Sequence, residues 1–310
     1  MKIKVLGSAA GGGFPQWNCN CTNCQSVRAG KPGYRARTQS SIAISDGSEN
    51  WILVNASPDL LSQIKSTPDL QPNRNPRDSG IAAVILMDAQ IDHTTGLLMM
   101  RESKTPMRLY TTAAVWEDLT TGLPLVPTLS FYCGVQWTPL TTDPSDGFVI
   151  SPLDSIRIKS IPLVSKAPPY SPNRYTQRVG DNIGLMIEDL RTGKKVFYAP
   201  GLGELTDNIM PFMHEADVLM VDGTFWTEDE MITQGFSKKQ AADMGHLPQT
   251  DKPNVPGSGM INQLKQFGNK RKVLIHINNT NPILNELGPE RAALNAEQIE
   301  VSYDGMEILA

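Results

Sequence analysis

Ile81-Ala82-Ala83-Val84-Ile85-Leu86-Met87-Asp88-Ala89-Gln90-Ile91-Asp92-His93-Thr94-Thr95-Gly96-Leu97 is an apolar run that breaks abruptly into polar residues. The run is short and rich in Ile and Val, so it reads as a buried strand, with a helix opening at Thr94–Leu97. Asp88, Gln90 and Asp92 alternate, which predicts a shared face as the chain leaves the sheet. In such folds, ligands and catalytic groups gather at the carboxyl ends of strands. Two further strands end the same way. Val218–Val221 runs into Asp222-Gly223-Thr224, and Lys272–Ile275 runs into His276-Ile277-Asn278-Asn279. Each polar residue alone reads as a cap on the following turn, whereas three such strand ends predict one polar site.

Short apolar runs recur at Ser41–Ser45, Trp51–Asn55, Ile156–Pro162, Ile183–Ile187 and Val196–Ala199. Helical patterns lie between several of them, at Pro58–Lys65, Thr95–Arg101, Leu205–His214 and Gly259–Phe267. Asp189–Gly193 carries a Thr-Gly hairpin turn, and Tyr303-Asp304-Gly305-Met306 gives a similar signal near the C-terminus. Mixed crossovers and hairpins predict α/β layers rather than an all-β shell. The long loops Gln71–Gly80 and Ser165–Asp181 have the make-up of lids or binding loops rather than linkers. Residues 1–310 are therefore expected to form one domain.

Of 310 residues, 40% are hydrophobic and 19% charged, enough for a core and unlike a disordered chain. Lys and Arg number 28 against 32 Asp and Glu, a net charge of −4 that gives no basic field for nucleic acid. No apolar run approaches the roughly 20 residues of a membrane span. Met1–Leu6 reads as a first strand entering glycines, not as a signal peptide. The expectation is a cytoplasmic protein with reduced thiols.

Cys19-Asn20-Cys21-Thr22-Asn23-Cys24 places three thiols within a few residues. In a reducing compartment that spacing points to a structural Zn2+, with a fourth ligand from a distant segment and no open position for substrate. Cys133 stands alone and reads as buried filler. His214 ends a helical pattern, where the helix dipole accounts for it. His93 and His276 lie at strand ends, and His246 sits in the loop Met244–Gln249.

Leu6-Gly7-Ser8-Ala9-Ala10-Gly11-Gly12-Gly13-Phe14-Pro15, together with Asp92–Leu97, Val221–Thr224 and His276–Asn279, resembles the metallo-β-lactamase superfamily. Phe14–Cys19, Met244–Gln249 and His276–Pro282 resemble the branch of it that serves biosynthesis of pyrroloquinoline quinone (PQQ). The resemblance runs from end to end and implies an αββα sandwich of two mixed sheets flanked by helices, with the site where the sheets meet. Hydrolytic members carry His-x-His-x-Asp-His, where this chain has Asp88, Gln90, Asp92 and His93. The metal-bridging aspartate of hydrolases falls near Pro200, and their mid-chain histidine near Ser165-Lys166-Ala167, where no His stands. Asp92, His93 and His276 survive.

That set suggests a single ion with open positions, the pattern of non-haem Fe2+ sites that activate O2, rather than the paired ions of a hydrolase. Zn2+, Mn2+ or Cu2+ would take the same ligands in vitro. Asp88, Gln90 and Asp222 are candidates to complete the shell or to orient the imidazoles. Asp222 and His246 are the candidate catalytic residues, His246 for proton transfer or substrate contact. Related phosphodiesterases place a histidine where this chain has Asn279, which makes Asn279 the candidate fourth zinc ligand. Lys166, Arg174 and Arg178, with Arg74 and Arg77 of the other long loop, are candidates to meet substrate carboxylates, with solvated loop charge as the alternative.

The resemblance implies a role in PQQ biosynthesis, with a small peptide-derived substrate or PQQ intermediate and other pathway proteins as partners. The ligand set favours an Fe2+- and O2-dependent hydroxylase of the tyrosine ring of a Glu–Tyr precursor. A non-catalytic carrier or transport helper for PQQ or its precursor is the alternative. A zinc-dependent hydrolase, the superfamily default, comes third.

Overall fold

In the computed structural model, which describes Met1–Ala310, the apolar runs become β1 Lys2–Gly7, β2 Ser41–Ser45, β3 Trp51–Val54, β4 Ile81–Ile85, β5 Met107–Thr111, β6 Val135–Pro139 and β7 Phe148–Ile150. The second half supplies β8 Leu153–Pro162, β9 Ile183–Asp189, β10 Lys195–Ala199, β11 Val218–Asp222, β12 Arg271–Ile275, β13 Ile299–Val301 and β14 Glu307–Leu309. Two seven-stranded sheets result, ordered β14-β1-β2-β3-β4-β5-β6 and β13-β12-β11-β10-β9-β8-β7.

Side-chain alternation explains the layers. Ile42 and Ile44 of β2 face Ile183, Leu185 and Ile187 of β9 across a core that runs from Ile3 to Ile308. Ala43 turns outward, beneath Leu60, Leu119 and Leu129. Met186 turns outward on the other side, with Met213, Leu264 and Leu294. At roughly 1.5–3 kcal/mol for each fully buried Ile or Leu, the contact between sheets dominates the stability of the expected αββα sandwich. No helix is long and apolar enough to cross a membrane.

The parallel halves of the sheets position the site. Val54 pairs with Ile85, and Asp222 with Ile275, so the turns after β3 and β4, and those after β11 and β12, leave at neighbouring points. The sheets are stitched together there: Ile183 N–H donates to the Met87 carbonyl (3.0 Å), and Asp88 forms a bridge with Asn182.

Three local expectations are corrected. β4 stops at Ile85, and Asp92 and His93 lie on a short helical turn, Ile91–Thr94, followed by a 3-10 turn over Thr95–Met100. Their shared location therefore does not come from strand alternation. It comes from Gly96, whose missing side chain lets the turn pack on the chain after β3. A Cβ there would lie 2.1 Å from the Ser57 carbonyl oxygen. Tyr303–Met306 is a turn with Gly305 at φ 89°. It carries the chain from one sheet to the other rather than closing a hairpin, because β13 and β14 belong to different sheets. The pattern at Leu205–His214 is helical only over Met210–Glu215. The Asp189–Gly193 hairpin forms as expected, between antiparallel β9 and β10.

Candidate active site and cysteine cluster

His93 leaves its turn with 3% of its surface exposed. Its Nδ1–H donates to Asp88 Oδ1 at 2.7 Å. Asp88 Oδ1 also accepts the Gln90 backbone N–H at 2.9 Å, which fixes the carboxylate that fixes the ring. The other ring nitrogen, Nε2, is buried and has no hydrogen-bond partner. It lies 3.5 Å from Asp92 Oδ2, and His276 Nε2 approaches the same oxygen at 3.7 Å.

His276 follows β12 with φ 63°, a left-handed conformation uncommon for a non-glycine residue. The flanking Ile277 enforces it by donating its N–H to the Ser8 carbonyl and accepting the Ala10 N–H, both at 2.9 Å. Thr224 Oγ1 donates to the His276 carbonyl at 2.8 Å and accepts from His276 Nδ1 at 2.9 Å. That bond leaves Nε2 as the free lone pair. Asp92, His93 and His276 thus offer three ligand atoms within 4.8 Å of one another. Burial and the neighbouring imidazoles keep His276 below the ordinary histidine range, in the neutral form a metal needs. Burial opposes charge on His93, yet Asp88 and Asp92 raise it to about 9. An unpaired buried nitrogen beside a carboxylate and a second imidazole fits a cation.

Beside this triad, Asp222 is fully buried at the end of β11, and its Oδ2 lies 2.5 Å from His246 Nδ1. The His246 ring stacks on His276 with centroids 5.3 Å apart. Asp222, His246 and His276 also bring ligand atoms within 4.8 Å. The short Asp222–His246 bond makes these two an oriented carboxylate–imidazole pair instead. Burial disfavours the His246 cation, but Asp222 raises its pKa above the ordinary value.

The cysteine cluster lies against the same turn. Cys21 caps the helix Thr22–Arg28, and Cys19, Cys21 and Cys24 converge to within 4.8 Å. Asn279, three residues after His276, points its Nδ2 at Cys19, Cys24 and Cys21 Sγ, at 3.0, 3.5 and 3.7 Å. The Asn279 carboxamide thus meets the three sulfurs through its amide N–H group. Burial pushes the Cys21 thiol up to about 12. Burial also opposes ionisation of Cys19, but its sulfur accepts the Cys21 N–H and the Asn279 amide and so lies below the usual thiol range. Cys133 is half-buried against the outer core of the first sheet. His214 sits in the last turn of its helix, against Phe267.

A cavity of about 790 Å3 opens onto Asp88, Gln90, Asp92, His93, His246 and His276. Lys166 and Arg174 line it, as expected. Arg178 does not. Its guanidinium is held by Glu117, Asp118 and Asp181 at 2.6, 3.3 and 2.8 Å, so it anchors the loop instead of meeting a ligand. Arg74 is likewise paired with Asp78 at 3.0 Å, and neither it nor Arg77 reaches the cavity. Asp88 is corrected from ligand to orienter, because its Oδ1 is taken by His93 and Gln90. Asp222 likewise orients His246.

Two contributors escape the sequence reading. Thr224 is visible there only as a cap, yet it fixes the His276 ring. Gly11 matters for close approach, since a Cβ on it would lie 3.1 Å from Asp92 Oδ2.

The β-lactamase superfamily domain matches residues 50–277. The chain is 58% identical to coenzyme PQQ synthesis protein B of Cupriavidus necator, covering 99% of this chain and 98% of that protein. It is 52% identical to the protein of the same name from Nitrosococcus oceani, over the full length of both. Among solved structures, Zn2+-bound PqqB from Methylobacterium extorquens superposes with a TM-score of 0.88 at 34% identity, covering 100% of both chains. The chain belongs to the β-lactamase superfamily and, within it, to the coenzyme PQQ synthesis protein B family.

Proposed function

We propose that this protein acts in PQQ biosynthesis as a mononuclear metal-dependent hydroxylase of the tyrosine ring of a Glu–Tyr precursor. The observation that carries the reading is the buried, unpartnered Nε2 of His93, facing Asp92 Oδ2 and His276 Nε2. Two imidazoles and one carboxylate are the ligand set of non-haem Fe2+ sites with open positions. Fe2+ held by Asp92, His93 and His276 would supply the activation of O2 needed to hydroxylate the tyrosine ring.

The chain's own groups do the rest. Asp88 and Thr224 hold the two imidazoles with Nε2 turned inward. Asp222 fixes His246 through Nδ1, which leaves its Nε2 to take or return the phenol proton. Lys166 and Arg174 line the cavity and in this reading meet substrate carboxylates. The loop carrying them is latched over the site: the Tyr170 hydroxyl donates to the Ala89 carbonyl, and Arg178 ties the loop to Asp118.

A second ion, Zn2+, belongs to the cysteines in this reading. Zn2+ in the relative from Methylobacterium extorquens supports zinc chemistry in the family, and three convergent sulfurs suit it best here, with the neighbouring Asn279 as the candidate fourth ligand. Such an ion would tie Cys19–Cys24 to the turn that carries His276.

The test is direct. Protein loaded anaerobically with Fe2+, given Glu–Tyr and a two-electron reductant such as ascorbate, and then exposed to O2 should yield Glu–Tyr carrying one added oxygen atom, seen by mass spectrometry, with the second oxygen atom reduced to water. Metal-replete protein that leaves the dipeptide unchanged overturns the reading.

A further inference from the structure

The cavity next to the metal ligands is lined by four cations, Lys166, Arg174, Lys239 and Lys252. Lys252 Nζ reaches only Glu228, at 3.7 Å. Arg174 gives a guanidinium N–H to the Ala167 carbonyl and meets no carboxylate. Lys166 and Lys239 line the cavity without an ion pair. Two segments supply these groups, and they touch at one point: a Cβ on Gly245 would lie 3.3 Å from Ser165 Oγ. The Lys239 and Lys252 segment thus adjoins the Lys166 and Arg174 segment beside the metal ligands. Glu204 and Asp243 line the same cavity and offer a place for an ammonium group.

We propose that Lys239 and Lys252 complete a cationic rim with Lys166 and Arg174 that selects a small aromatic ligand bearing at least two carboxylates. The inference deepens the hydroxylase reading and rests on it only for where the ring sits. A cavity of about 790 Å3 admits a ligand of dipeptide size. Cationic groups at a concave wall focus anions far better than the same groups on a convex surface. Carboxylates that meet them form charge-assisted hydrogen bonds, so amidation of the ligand should be felt strongly.

The experiment is anaerobic calorimetry on the metal-loaded protein, with two probes: Glu–Tyr, and its analogue Gln–Tyr amide, which keeps the ammonium and the phenol but has no carboxylate. Wild type should prefer Glu–Tyr by roughly tenfold or more, with the preference shrinking as salt is added. Lys239→Gln and Lys252→Gln should each weaken Glu–Tyr binding by roughly three- to tenfold and leave the amide within about twofold. Metal content and circular dichroism of both variants should match wild type. Equal binding of the two probes by wild type, no binding of either, or unchanged Glu–Tyr affinity in both variants overturns the rim. No O2 is present, so the outcome is separable from that of the hydroxylase. Charge-selective binding without oxygen insertion would sink the hydroxylase and leave the rim standing.

Discussion

Asp88 and His93 are joined by a 2.7 Å hydrogen bond from Nδ1, and that bond turns the bare Nε2 of the imidazole toward Asp92. Asp88→Asn keeps the shape but removes the charge that orients the ring and raises its basicity. Loss of such a partner typically costs about 10–100-fold in metal affinity. Anaerobic titration with Fe2+ or Co2+ should show a drop of that order at the active site, with the cysteine-bound zinc unchanged. Wild-type affinity in the variant would mean that Asp88 does not support the ligand.

Gly11 offers a cleaner probe of Asp92. Its φ lies outside the left-handed region, so alanine is tolerated by the backbone, but the new Cβ would crowd Asp92 Oδ2 at 3.1 Å. Gly11→Ala should shift unfolding by no more than about 0.5 kcal/mol, as for exposed positions generally. Active-site metal affinity should nevertheless fall several-fold. Equal metal affinity with normal stability would show that the carboxylate is not a ligand.

The carboxamide of Asn279 adjoins the three cysteine sulfurs, and under the zinc proposal an imidazole there would close a tetrahedral site. Asn279→His should therefore slow zinc release to a competing chelator, by roughly tenfold or more given imidazole's stronger hold on Zn2+. The same assay on Cys24→Ser should show faster release. Because Asn279 and His276 share one turn, that loss should also lower active-site metal occupancy. Faster release from Asn279→His would contradict the assignment of the fourth corner.

Glu230 gives a pH signature of its own, beside the turn that carries Asn279. It is 4% exposed, its Oε2 accepts the Trp226 N–H at 2.6 Å, and Thr280 donates to its Oε1. Burial raises its pKa to about 7. A carboxyl raised in the folded state contributes stability below its unfolded value, near 4.3, and loses it as pH rises through about 7. Denaturant unfolding of the wild type should include a decline of roughly 4 kcal/mol at most across that window. Glu230→Gln should flatten it, making the variant gain on wild type at pH 8 relative to pH 5. Parallel pH profiles would remove the assigned shift.

The legible parts of the sequence were those set by short-range chemistry. β11 and β12 end at Asp222 and Ile275, so Asp222 and His276 stand out as polar residues ending apolar strands. Cys19, Cys21 and Cys24 are close in sequence and stay close in space. Asp92 and His93 reach the site for a different reason, the close packing of Gly96 on Ser57. Arg178 shows the limit. Its loop reads as basic, but two of its partners, Glu117 and Asp118, come from some 60 residues away, and sequence spacing carries no sign of that pairing. Thr224 fails for a similar reason, since a cap and an imidazole anchor look the same until β11 and β12 are paired side by side.

The decisive measurement is the metal count of protein purified without oxygen and titrated with Fe2+, for wild type and for His93→Ala. Wild type should hold one Fe2+ beside one cysteine-bound Zn2+, and the variant should keep the Zn2+ and lose the Fe2+. A His93→Ala protein that binds Fe2+ as tightly as wild type would show that Asp92, His93 and His276 do not grip a common ion.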